Sequence, residues 1–278
     1  MIGVPAVRRR LIIRPGAIGD CILALPAMGH LRAEYTEVWA PSPVLPLLRF
    51  ASVIRSIAST GLDLLGLPDR EPPPALLEAL ASFDSVVSWY GASRPEFRAA
   101  VERFPFTFFK ALPENPGVHA ADWFLNLVGG TGPAIPRICC PRSDRGFALI
   151  HPFSGSRKKN WPLERFRAVA GALRMPVEWC AGPEEELEGA VRLDDLYALA
   201  CRIAEASVYI GNDSGITHLA AAVGTPVVAL FGPTDPAIWA PRGSRVEVVS
   251  TPASGERMDR IPVDAVLAAV QKLMPNSP

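Results

Sequence analysis

The sequence predicts an α/β protein built of two parallel-sheet halves. Two observations carry this. Short apolar runs alternate with longer helix-like segments, the pattern of βαβ units. A stretch rich in Gly and Pro, "LVGGTGPAIPRICCPRSDRG" at 127–146, interrupts the alternation, and beyond it the alternation starts afresh. The halves are therefore expected at 1–145 and 146–278, with a last helix at 263–274 as a candidate to pack back on the N-terminal half.

In chain order, "RLIIR" (10–14) reads as a buried strand and "GDCILALPAMGHLRAEY" (19–35) as a helix bent near Pro26. "EVWA" (37–40), "SVIRSIA" (52–58) and "DSVVSW" (84–89) read as further strands with helical patterns between them. "FPFTFFK" (104–110) is the densest aromatic cluster, read either as core or domain contact or as an apolar acceptor surface. Beyond the linker come "FALIH" (147–151), a helix from about Pro162 to Leu173, "VEWCA" (177–181), and a helix within 193–206. "SVYIG" (207–211), a helix from about Gly215, "PVVALF" (226–231) and the final helix complete the half.

Composition narrows the function. The chain has 278 residues, 49% apolar and 20% charged, enough apolar material for a sizeable core. Its formal net charge is zero, and general polyanion binders are more basic, so no nucleic acid partner is expected. Five cysteines without a CxxC spacing argue against a disulfide framework or a zinc site and fit a reducing cytoplasm. "MIGVPAVRRRLIIRPG" has too short an apolar core for a signal peptide, and no apolar run is long enough to span a membrane. Arg8–Arg10 is the candidate for peripheral contact with an anionic inner-membrane face.

In open parallel sheets, ligands bind beyond the carboxyl ends of the strands. Four stretches of this chain put polar groups there. "IGNDSGITHLAAA" (210–222) is the richest. Asp213 or Ser214 would cap the helix, Gly215 would let a phosphate approach backbone, and Thr217 and His218 would add side-chain donors near a positive helix end. Capping alone accounts for one polar residue, not five. A His–Asp metal site is disfavoured because no third ligand accompanies the pair. "RPGAIGD" (14–20) places Asp20 at a helix start, where it either complements the helix dipole or acts as a general base. "HPFSGSRKKNWPLERF" (151–166) offers Ser154 and Ser156 in a donor-rich turn and Lys158 or Lys159 for a phosphate, or else is a solvated basic loop. "CAGPEEELE" (180–188) supplies acids that either bind ribose hydroxyls or decorate a helix start. "FGPTDP" (231–236) is a turn after a strand that shapes the same edge.

These pieces together resemble glycosyltransferase family 9, the ADP-heptose:lipopolysaccharide heptosyltransferases. The resemblance rests on "LIIRPGAIGDCILALPAMGHLR", "HPFSGSRKKNWPLERF", "AGPEEE" and above all "IGNDSGITHLAAAVGTPVVALFGPTDP". It implies a GT-B fold, two Rossmann-like domains facing across a cleft, with the donor mostly on the C-terminal one. It also implies an inverting transfer with no bound metal and no cofactor, from a nucleotide-diphosphate sugar to a hydroxyl of a glycan or glycolipid acceptor, on the cytoplasmic side. Carried over by residue, Asp20 is the general base and Lys159 neutralises the diphosphate. Glu184 lies near the donor ribose, and Asp213, Gly215, Ile216, Thr217 and His218 lie at the diphosphate and sugar. Gly19, Ser154, Ser156 and Ser214 go with them as substrate-binding positions. Two rivals use the same fold: a nucleotide-sugar epimerase or hydrolase, and a non-catalytic relative that only binds nucleotide sugar.

Overall fold

The computed structural model describes residues 7–114, 117–252 and 255–275, so the first six residues of the segment read as lacking a signal sequence lie outside it. The described residues form two compact units, those of Met1–Glu114 with Trp123–Thr131 and those of Asn115–Asp122 with Gly132–Pro278.

The first unit opens with β1 (Arg9–Ile13), whose Leu11, Ile12 and Ile13 are buried on both sheet faces. The single helix expected over 19–35 is two short ones, α1 (Ile18–Leu23) and α2 (Leu25–His30). Ala24 ends one and starts the other, because Pro26 has no N–H to continue the ladder and suits only a first turn. Then follow β2 (Tyr35–Ala40), β3 (Val53–Ser56), α3 (Pro74–Ala81), β4 (Ser85–Ser88), α4 (Pro95–Ala100) and β5 (Phe106–Phe108). The tail of the 52–58 run leaves the sheet as a 3-10 turn at Ile57–Ser59. All pairings are parallel, in the order β3-β2-β1-β4-β5. The aromatic cluster is core here. Phe97 meets Phe106 and Phe108 edge-on at 6.1 Å, and the three pack with Leu11, Ile13 and Val86. Two of the arginines at the chain start serve this unit's own fold. Arg9 lies 4.1 Å over the Tyr35 ring, and Arg10 donates to the Leu31 carbonyl and the Ser85 hydroxyl.

α5 (Ala120–Leu127) carries the chain from one unit to the other. The second unit runs β6 (Ala148–His151), α6 (Leu163–Ala172), β7 (Val177–Trp179), α7 (Leu196–Ala204), β8 (Val208–Asn212), α8 (Gly215–Ala222), β9 (Val227–Phe231), α9 (Pro236–Trp239), β10 (Val246–Ser250) and α10 (Val263–Leu273). Its parallel order is β10-β9-β8-β6-β7. β10, from "VEVVS", has no counterpart among the strands expected from sequence: its half-exposed pattern is that of an edge. Between Glu188 and Leu193 a single bridge, Val191 to Cys180, stands where a further strand would pair. α10 buries Val266, Val270 and Leu273 in the same core as Trp161, Phe166 and Ile210, so it closes its own unit, packed on α6 and β10. No helix of the described residues is long and apolar enough to cross a membrane.

Each strand order has one place where the winding direction reverses. It falls between β1 and β4 in the first sheet and between β6 and β8 in the second. Strand-end crevices at these places are where open α/β sheets bind ligands.

Candidate active site

At the second reversal, β6 and β8 run side by side from Ala148 and Val208 and release their chains together. β8 ends on Asn212, a fully buried amide that staples the neighbouring loop at both ends. Its Nδ2 donates to the Pro152 carbonyl at 2.8 Å, and its Oδ1 accepts from the Trp161 amide at 3.0 Å. Inside that staple, Ser154 Oγ lies 2.8 Å from both the Ser156 carbonyl and Asn160 Oδ1, and the Ser156 amide points back at it. Ser154 and Ser156 therefore shape the turn from within. The turn delivers Lys159, at the end of a 3-10 segment Arg157–Lys159, to the mouth of the crevice.

Lys159 Nζ donates to Asp213 Oδ2 at 2.7 Å, and Thr234 Oγ1 donates to the same oxygen at 2.5 Å. Asp213 is nearly buried, while Lys159 keeps about a third of its side-chain surface in solvent (30%). The pair therefore fixes an ammonium whose other protons face outward. Directly after it, Ser214 caps α8 by accepting from the Thr217 amide at 3.3 Å. In an α-helix the first amides have no intrahelical partner, which leaves Gly215 and Ile216 to present N–H groups beside the ammonium.

Thr217 departs from its sequence expectation as an outward donor. It is fully buried, and its hydroxyl donates to the Asn212 carbonyl at 2.5 Å with Tyr209 OH at 3.3 Å. It locks the β8–α8 corner from below. Gly211 makes room for this lock, since a Cβ there would come within 2.6 Å of the Tyr209 hydroxyl. Burial raises Tyr209 well above the ordinary phenol range, so it stays protonated. His218 is buried within the first turn of α8.

The acids after β7 differ in where they point. Glu184 is exposed, and Glu185 turns inward. Its Oε2 accepts from the Gly182 amide at 2.6 Å and lies 3.0 Å from His151 Nε2. Desolvation works to raise the Glu185 carboxyl, and the bonds from His151 and Gly182 outweigh it and hold the group below the usual range. Beneath it, burial and the nearby Glu185 push the Cys180 thiol up to about 12. An unbroken acid triplet carries no sequence signal for which member faces in. His151, Asn212 and Thr234 belong to the site as well, and only their strand-end positions hint at it.

Asp20 and Gly19 lie at the other reversal, in the first half-turns of α1. Asp20 Oδ2 accepts from the Ala17 amide at 3.1 Å. Gly16, at φ +118, permits this, because a Cβ there would sit 3.1 Å from the carboxylate.

Residues 131–261 match the sequence model of glycosyltransferase family 9 (heptosyltransferase). All the strand-end residues of the second unit described above fall inside the matched span. The chain is 30% identical over 167 residues to lipopolysaccharide heptosyltransferase 3 of Escherichia coli, covering 48% of each protein. It is 29% identical over 193 residues to lipopolysaccharide heptosyltransferase 1 of an E. coli O18:K1:H7 strain, covering 62% of this chain and 55% of that protein. The chain thus spans about half the length of the curated relatives it matches. Among solved structures, a family 9 glycosyltransferase from Veillonella parvula superposes with TM-score 0.76 at 19% identity over 98% of both chains. An E. coli heptosyltransferase solved with ADP superposes with TM-score 0.71 at 18% identity, over 95% of this chain and 99% of that one. These neighbours share the fold, which is GT-B: two Rossmann-like parallel-sheet domains.

Proposed function

We propose that this chain is an inverting glycosyltransferase. It moves a sugar from a nucleotide-diphosphate donor to a hydroxyl of a lipopolysaccharide-core or related cell-envelope glycan, working from the cytoplasmic side. The observation that carries the reading is the Lys159–Asp213 pair at the N-terminal turn of α8, inside the family 9 span. A nucleotide diphosphate needs this chemistry: one fixed cation and oriented amides at a strand-end crevice.

The acceptor oxygen bonds to the anomeric carbon as the bond from that carbon to the diphosphate oxygen breaks, and the hydroxyl proton goes to Asp20. Charge grows on the leaving diphosphate, where Lys159 and the α8 amides meet it in the transition state. With this cation and these amides in place, the leaving group is neutralised without calling on a metal. Glu185 takes the ribose role expected of Glu184, because it is the member of the triplet anchored at the β7 end.

The heptosyltransferase relatives make ADP-heptose the first donor to test. The test is calorimetric titration with ADP, UDP, GDP and their sugar conjugates in chelator. Tight binding of one nucleotide diphosphate supports the reading and names the base; binding of none overturns it. Donor consumed at the same rate with and without acceptor would replace transfer by hydrolysis or epimerisation.

A further inference from the structure

At the carboxyl end of β1, Arg14 is almost wholly buried, with 1% of its surface exposed. Among the described residues, no carboxylate forms an ion pair with its guanidinium. Instead NH1 donates to the Pro15 carbonyl at 2.9 Å and NH2 to the Asp20 carbonyl at 3.0 Å, while Nε has no hydrogen-bond partner. The group lies 4.6 Å over the Phe124 ring and 5.8 Å from the Trp89 ring, whose own buried Nε1 is also without a partner. Burying a cation without a paired anion costs several kcal/mol, and an apolar side chain would fill the same volume without that cost. A charge kept at that cost has something to act on.

We infer that Arg14 is the positioning residue of Asp20, clamping both ends of the Pro15–Asp20 turn and keeping a buried positive charge behind the carboxylate. This rests on the reading of Asp20 as general base. The clamp fixes the backbone from which the carboxylate projects, and the Ala17 amide fixes its Oδ2 on the other side. The ionisable groups that act on Arg14 are Cys21 and Asp20. Burial pushes the Cys21 thiol up to about 11, so it stays neutral and Asp20 is the anion that feels the guanidinium. Trp89, just past β4, and Phe124 of α5 place aromatic rings beside the guanidinium.

The test uses the full chain and three variants. Arg14→Met is expected to lower kcat about 100-fold, the scale of a misplaced catalytic group, with ADP affinity by calorimetry unchanged. The donor KM should stay as it is, because a displaced base costs transition-state stabilisation and not ground-state binding of the donor. Arg14→Lys keeps the charge but reaches one carbonyl, so its kcat falls too, by less than that of Arg14→Met. A Met variant with unchanged kcat, or with lowered kcat and weakened ADP binding, overturns the inference. Should the Met variant fail to fold, the Lys variant decides: unchanged kcat there overturns it equally. Asp20→Asn separates this from the reading beneath it. Normal turnover by Asp20→Asn sinks the base assignment itself; an inactive Asp20→Asn beside a normal Arg14→Met sinks the Arg14 role alone.

Discussion

Asp213 accepts two donors on one oxygen, and this decides how the residues at the mouth of the crevice divide their work. A buried carboxylate next to a diphosphate would repel it, so Asp213 is better understood as the anchor of Lys159 than as a phosphate ligand. Lys159→Ala is then expected to weaken nucleotide-diphosphate affinity by roughly 10- to 100-fold, the worth of a charge-assisted hydrogen bond. Titration calorimetry checks this, and unchanged affinity would remove Lys159 from the site. Asp20→Ala should leave that affinity intact while turnover falls by about 100-fold or more, the usual contribution of a general base. A product assay run beside the titration distinguishes the two losses. At this scale the sequence locates the right turn but not always the right atom. Asp20, Lys159 and Ser214 are legible because strand-end position and residue type coincide. Glu185 and Thr234 are not, because which of several adjacent polar side chains turns inward depends on neighbours far along the chain.

The elements that set the site are a loop and a corner, each held by buried polar groups. Asn212 holds both ends of the 152–161 loop, with partners 60 and 51 residues away. Asn212→Ala would leave the Pro152 carbonyl and the Trp161 amide unsatisfied in the interior, a loss of roughly 2–4 kcal/mol. Denaturant unfolding measures it, and a change under about 0.5 kcal/mol, the level of an ordinary surface substitution, would show that the loop holds itself. The turn after β7 depends on pH instead. The folded Glu185 carboxyl lies below its ordinary value, so its contribution is complete above the usual carboxylate range and is lost as pH falls through the folded value. Acid titration of stability should therefore show a loss below about pH 4 that Glu185→Gln lacks. An identical acid profile in the variant would assign that loss to other carboxylates, such as Asp122 and Asp144, whose values are also lowered.

Among the described residues the molecule has two sheets, one packed on a core around Leu11, Phe97 and Val86 and the other on a core around Ile150, Ile210 and Val266. The proposed donor residues, apart from Asp20 and Gly19, all belong to the second. Heating is expected to give two transitions, of which ADP at about 100 times its Kd raises one, by the equivalent of roughly 2.7 kcal/mol. Differential scanning calorimetry reads this directly. A rise in both transitions, or a single one, would mean that the units unfold together.

The sequence by itself determined the alternation of strands and helices, the break at Pro26 and the capped, polar start of α8 after β8. Periodicity, proline chemistry and helix capping act within a few residues, so they are written locally. Only the tertiary structure decided that "VEVVS" closes the second sheet as an edge, that the aromatic run is core, and that α10 packs on its own unit. It also decided that the Thr217 hydroxyl points inward and that Arg14 stands unpaired behind Asp20. Those outcomes depend on which surfaces meet after the chain has returned from dozens of residues away, and burial rather than local propensity selects among them.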